Sequence, residues 1–493
     1  MRRCLWILIV SCLAISADAQ PAVWKPRLHR PLRRASKVLP VTTTSRKARK
    51  LFEQGLTDFA NLKTDKALDE WRQAAHLDRK FALAHVFVAF NSKDPGEQSA
   101  ELAKAKALMP HVTRAERLLI RWVAGVKENN YVAGIQAVND LVARYPRDKR
   151  LLYIVGNWLV FQESNDQART LLERALAVDP KYPPALNDLG YVYAAEGDYK
   201  RAIAAMERYV ASLSGEPNPN DSYAEILRMS GDFEGALQHY RAALKIDPHF
   251  VYSQLGIADT YALMGDQERA RTEYATAIAQ AETEADRVEF EIQSALTYVR
   301  DRRYAEADAA FAAVCAQAHA AGLDLHEAQA HRMMAQYQLN DAAALKHLEQ
   351  TEAVLTASST IPKSDRDEEQ ARVLRWRALR AAQAGDEATS DAALRQLEEM
   401  ENSSSSRAIL HTFYAAEGAV LMLRGKYAEA IPHLEEDHNN PFSMKLLAEA
   451  YTRTGAMAEA NEEVKKLAAT NTPTIDQALI VLPTRQRLAA NPK

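Results

Sequence analysis

The sequence predicts an all-α fold, a right-handed solenoid of antiparallel helix pairs, and three observations lead there. At 493 residues the chain exceeds the size at which one hydrophobic core keeps growing, so it must divide into domains or extend as an array. Glycine (17) and proline (19) are sparse beside alanine, leucine, glutamate and arginine, which is a composition of helices almost throughout. Small and bulky side chains also return in phase every 34 residues, the mark of a repeat array.

The period sets the elements. Gly134, Ala168, Ala202, Ala236 and Ala270 open the second helix of five successive units. Twelve residues upstream stand Trp122, Gly156, Gly190, Ala224 and Ala258; four residues downstream stand Val138, Leu172, Met206, Tyr240 and Tyr274. Small residues let two helix backbones approach, and large ones fill the groove between neighbouring units. Gly197-Asp198, Gly231-Asp232 and Gly265-Asp266 stop each first helix and cap the next. Asp179-Pro180 and Asp247-Pro248 end the second, because proline disfavours helical geometry in the residue before it.

Leu189-Gly190-x-x-Tyr193 with Ala202, Met206 and the Asp179-Pro180 ending resembles the tetratricopeptide-repeat signature. The resemblance is clean over residues 113–283, which form five in-register units. It returns less regularly at Gly55/Ala67/Trp71/Ala74, Ala295/Ala307/Phe311, Gly418/Ala430/Leu434 and Ala448/Tyr451/Ala460/Val464. Residues 79–112 and 315–400 keep helical periodicity but lose the spacing, and Trp122 and Tyr209 stand where the family has small residues. Residues 45–112 are therefore expected as repeat-like helices, 284–400 as irregular ones, 407–470 as C-terminal units and 471–493 as an end cap or tail. About nine to eleven pairs are expected, stable only through stacking.

The N-terminus reads as an address. Arg2 and Arg3, an apolar run over 4–15 and Ala17-Asp18-Ala19 have the pattern of a signal peptide cleaved after Ala19, implying a periplasmic or secreted chain. The run is too short for a spanning helix, so no transmembrane segment is expected in the mature chain. Ile9-Val10-Ser11-Cys12 is a loose lipobox and supplies the alternative of a lipoprotein at Cys12. Cleavage would leave Cys315 as the one thiol, in a run where a small buried hydrophobe is expected. Residues 20–50 hold ten Lys or Arg and no acid, whereas from 51 onward 50 basic residues face 64 acidic ones. The segment 20–44, with Pro21, Pro26, Pro31 and Pro40, is expected as an extended, unpacked arm, and residues 20–50 as able to touch an anionic surface.

No catalytic, metal or cofactor motif is present. Phosphate-binding glycine loops, Gly-x-Ser-x-Gly and Cys-x-x-Cys are all missing. His326 and His331, like His433 and His438, stand five apart, which turns them away from each other on a helix, so they are expected as surface histidines. What remains is the inner face of the first helices, where the resemblance implies an extended peptide or protein partner. Its matching positions are Tyr153, Asn157, Asn187, Tyr191, Asp221, Glu225, Arg228 and Asp259. Amides would bond a peptide backbone, tyrosines would give apolar contact and the acids would attract Lys or Arg. Each also has a plainer role: Asp221 suits a helix N-terminus and Tyr191 could pad adjacent helices. A binding scaffold is thus expected, with no specific nucleic acid. The alternatives are an envelope assembly component docked through the basic arm, and an enzyme concealed in 284–400.

Overall fold

The computed structural model describes residues 38–490 apart from Leu62, Asn129 and Ser405, so the expected signal peptide, the lipobox and most of the basic arm lie outside the described residues. The described residues form 25 helices and no strand. The chain divides after Ser214 into two compact units, each a run of helix hairpins.

The unit ending at Ser214 holds five hairpins, from Arg46–Ala60 with Thr64–Leu77 to Pro183–Ala195 with Tyr199–Ser212. The unit from Gly215 holds seven, from Pro217–Ser230 with Phe233–Ile246 to Pro441–Thr454 with Met457–Ala469, then a last helix, Leu482–Ala490. Twelve pairs exceed the expected nine to eleven because the stretches without the 34-residue spacing are hairpins too. Residues 79–112 carry a short first helix, Ala82–Asn91, and 284–400 carry long ones, such as the 21-residue Lys363–Gln383. Lengthened helices push the next small residue out of phase, so the period disappears while the stacking persists. An all-α solenoid of helix pairs is what the chain forms.

The in-phase pattern has a geometric cause. A Cβ built on Gly156 would meet Leu172 Cδ2 at 3.0 Å, and one on Gly190 would meet Met206 Cε at 2.3 Å. The same small-to-bulky contact joins Gly55 to Trp71 and Gly418 to Leu434, so the register recurs in both units. Ala168, Ala202, Ala224, Ala236, Ala258, Ala270 and Ala430 are wholly inaccessible; Ala448 and Ala460 are buried. Trp122 departs from the pattern for a visible reason. In Arg114–Lys127 and Tyr131–Arg144 the close approach moves to Gly125 and Gly134, where a Cβ on Gly125 would fall 2.5 Å from Gly134 Cα. Trp122 is then free to pack its ring 5.3 Å from Phe90 and 5.6 Å from Trp158.

The turns follow the sequence. Gly231 and Gly265 take the left-handed conformation (φ 92° and 95°) that closes a helix, and Asp232 and Asp266 accept the N–H of Gly235 and Arg269 in the next. The arm is not unpacked up to Thr44. Leu39 N–H donates to Asp148 Oδ2 at 2.7 Å, Thr42 donates from backbone and hydroxyl to the Glu116 carboxylate, each at 2.6 Å, and the Thr43 hydroxyl donates to Asp78. Carboxylates at the N-terminal ends of two first helices (Glu116 and Asp148) and at the C-terminal end of Thr64–Leu77 (Asp78) give these extended residues hydrogen-bond partners.

Candidate functional site

In the unit ending at Ser214, Tyr153 and Asn157 lie on Lys149–Phe161, and Asn187 and Tyr191 on Pro183–Ala195. Helical spacing puts them on successive first helices, and a residue absent from the expectation joins them. Asp188 accepts from Asn157 Nδ2 at 2.8 Å and from Asn187 Nδ2 at 3.0 Å. The signal for Asp188 was available: it stands 31 residues after Asn157, one period less one helical turn. Tyr153, 2% exposed, packs edge-on against Tyr182 and Phe59, so its ring is a spacer between helices. Asn187 is buried as well, while Asn157 and Tyr191 are half-buried and reach the surface.

In the unit from Gly215, Asp221 accepts the Ser253 hydroxyl at 2.8 Å, which ties Pro217–Ser230 to Val251–Met264. Glu225 pairs with Arg228 at 3.2 Å. Asp259 is inaccessible and accepts the phenol of Tyr274, a bond made within its own hairpin. Asp221 and Glu225 thus remain at the edge of the face, whereas Asp259 is a core group.

The inner tier of this unit is also more basic than expected. Arg228, Arg300, Arg332 and Arg375, from four different first helices, are all at least nine-tenths buried. Arg332 pairs with the buried Glu369, and Arg375 lies over the ring of Phe442 with Asp437 at 3.9 Å. Among the described residues no carboxylate pairs with Arg300, and burial pulls its guanidinium below the ordinary arginine range. Arg228 was among the expected face residues; Arg332 and Arg375 escaped notice because each adjoins apolar residues, as between Leu374 and Trp376, where a charge reads as an interruption, and Arg300 because it opens the charged run Arg300-Asp301-Arg302-Arg303.

The chain's own C-terminal segment lies against this tier. Arg228 Nη1 donates to Asn471 O at 3.4 Å, and Asn471 Nδ2 donates to Met229 O at 3.2 Å. Arg300 donates to Thr474 O and to Gln477 Oε1 at 3.5 and 3.4 Å. Asp476 feels the charges of Arg375 and Arg332, although burial outweighs them and raises its carboxyl above the usual range.

The histidines are mostly less exposed than expected. His326, His331 and His433 are half-buried, and His438 is exposed; the His331 ring lies 5.7 Å from that of His347, and His433 sits 3.4 Å from Glu417. Among the described residues, no group of three His, Cys, Asp or Glu is placed to hold a metal ion, and no helix is long and apolar enough to cross a membrane.

A tetratricopeptide-repeat family model matches residues 156–217, and a second matches 227–289. Solved structures with partial likeness include MamA from Desulfovibrio magneticus RS-1, at 15% identity over 34% of this chain and 96% of that one, with a TM-score of 0.31. Pseudomonas aeruginosa pilF aligns at 16% identity over 52% of this chain and 95% of its own (TM-score 0.29). TTC0263, a thermophilic repeat protein of Thermus thermophilus, aligns at 20% over 43% and 98% (TM-score 0.29). No curated protein matches the sequence.

Proposed function

Since this chain is a tetratricopeptide-repeat protein, we propose that it is a non-enzymatic scaffold that binds an extended segment of another protein along the face of its first helices. The observation that carries this is the bond from Asn157 to Asp188, which spans two successive first helices inside the matched repeats and leaves Tyr191 at the surface beside it. A face that repeats amide, carboxylate and aromatic groups at helix spacing suits an extended backbone, whose own N–H and C=O groups recur at regular intervals. Residues 39–43, held in extended form by Asp78, Glu116 and Asp148, support the same capacity. The signal-peptide pattern of residues 1–19 supports work in the periplasm or outside the cell.

The test is recovery of partners from an envelope extract by the mature chain and by a Tyr191→Ala, Asp221→Lys variant. The scaffold reading expects the variant to lose a partner that the parent retains; equal recovery of every partner would remove the face from consideration.

A second reading rests on charge. The ten basic residues in 20–50 support docking on an anionic surface while the array recruits a partner. Binding to vesicles of anionic phospholipid would then weaken steeply with salt and vanish when 20–50 are deleted, whereas partner binding would survive.

A further inference from the structure

The C-terminal segment leaves the last hairpin at Thr470 and runs back over residues far away in sequence. Asn471 meets Arg228 and Met229, and Thr474 and Gln477 meet Arg300. Ile475 and Ala478 enter an apolar cluster with Ile292, Leu296, Met334 and Tyr337. Ile480 and Val481 join Met444 and Leu467 in another. Residues 470–474 have no regular structure, so their backbone is presented side-on to the first helices, as a bound peptide would be. Arg485 pins the entry to this path, donating to Ala468 O at 2.7 Å, Thr470 O at 3.1 Å and Asn471 Oδ1 at 2.6 Å.

The fit between this segment and the tier beneath it is incomplete, and the mismatch is one of charge. Of the four buried arginines along the path, Arg228, Arg332 and Arg375 already face Glu225, Glu369 and Asp437, whereas among the described residues Arg300 faces no carboxylate and receives from the segment only the carbonyl of Thr474 and the amide oxygen of Gln477. The buried nitrogens Arg228 Nε, Arg300 Nη1 and both Nε and Nη2 of Arg375 have no hydrogen-bond partner among the described residues. A buried guanidinium donor left unpaired is costly, so a chain that brought more acceptors to the same path would bind it better than the tail does.

We infer that the first-helix face spanning 217–454 is a peptide site whose resident occupant is the chain's own segment 470–490, and that an acidic partner displaces it. The partner is a segment that, like the tail, enters in extended form and turns helical, with aliphatic residues at the places of Ile475 and Ala478 and carboxylates at those of Asp476 and Gln477. This deepens the scaffold reading and rests on it: the site is assigned to one unit, and the free chain holds it closed. A partner pays the displacement of the tail out of its own affinity, so weakening the tail raises the apparent affinity by the same factor.

The experiment uses the full chain and a fluorescent synthetic peptide of residues 470–490. The parent chain should bind it weakly, and an Asp476→Lys chain about tenfold more tightly, because its tail competes less well. Adding Arg300→Ala to the Asp476→Lys chain should reverse that gain. A second measurement stands even if the Asp476→Lys chain folds poorly. Hydrogen exchange at residues 474–482 of the parent should accelerate in excess peptide carrying Gln477→Glu and stay slow in excess scrambled peptide. Tail amides that remain protected at saturating peptide, or equal peptide affinity of the parent and a folded Asp476→Lys chain, would overturn the inference and make the segment a fixed part of the core. Either result would leave the scaffold reading testable by Tyr191→Ala alone, since Tyr191 lies in the other unit whereas Asp221 stands on the face in question.

Discussion

A Cβ at position 190 would lie 2.3 Å from Cε of Met206, so Gly190 is the gap into which the bulky residue of the facing helix fits. Gly190→Leu therefore overpacks the hairpin, with an expected cost of about 1–3 kcal/mol. Urea unfolding measures it as a lower midpoint without loss of helix content in the native baseline.

The nature of the neighbour decides the smaller substitution. Met206 offers the far end of a flexible side chain, which can move, and alanine favours helix over glycine by about 1 kcal/mol, so Gly190→Ala should be close to neutral. Gly125 faces the backbone of Gly134 at 2.5 Å, which cannot yield without separating the helices. Gly125→Ala should cost about 1–3 kcal/mol. Parallel urea melts of the two variants check the ordering.

Cys315 is buried, and burial foremost pushes its thiol up to about 12. Since the thiolate is the reactive form, a disulfide reagent at pH 8 should modify the native chain from residue 20 onward, which holds Cys315 alone, slowly and the same chain unfolded in urea at once. The rate of thiol release measures both.

Burial first, and the neighbouring His347 second, lower His331 to about 4 from an ordinary 6.5. The unfolded chain then binds more protons between these values, so the contribution is full above pH 6.5 and is lost as pH falls toward 4. Stability should drop by roughly 1–2 kcal/mol from pH 7 to pH 5, the full shift being reduced by solvent screening. His331→Gln should flatten the slope, as read from urea midpoints across that range.

The sequence disclosed whatever depends on local spacing. Gly190 with Met206, Gly231 with Asp232 and the hairpins they bound were legible because contacts within a hairpin recur at fixed separation. The close approach at Gly125 and Gly134 was not, since the phase pointed to Trp122. Of the candidate face, Asn157, Asn187 and Tyr191 lie together, but the acceptor between Asn157 and Asn187, Asp188, was missed. Asp259 was assigned to the face by its phase and instead bonds Tyr274 in the core. Phase locates a position on a helix but not how far the neighbouring helix covers it. The contact of Arg300 with Gln477 joins residues 177 apart and leaves no periodic trace.

The central claim, that a protein partner is held on the first-helix face, is tested most directly by placing a photoreactive phenylalanine analogue at Tyr191, on a first helix, and separately at Lys200, exposed on the second helix of the same hairpin. Irradiation in an envelope extract should yield a crosslinked partner from position 191, suppressed by unlabelled mature chain, and none of that species from position 200. Equal crosslinking of the same partner from both positions, or its capture from position 200 alone, would contradict the account.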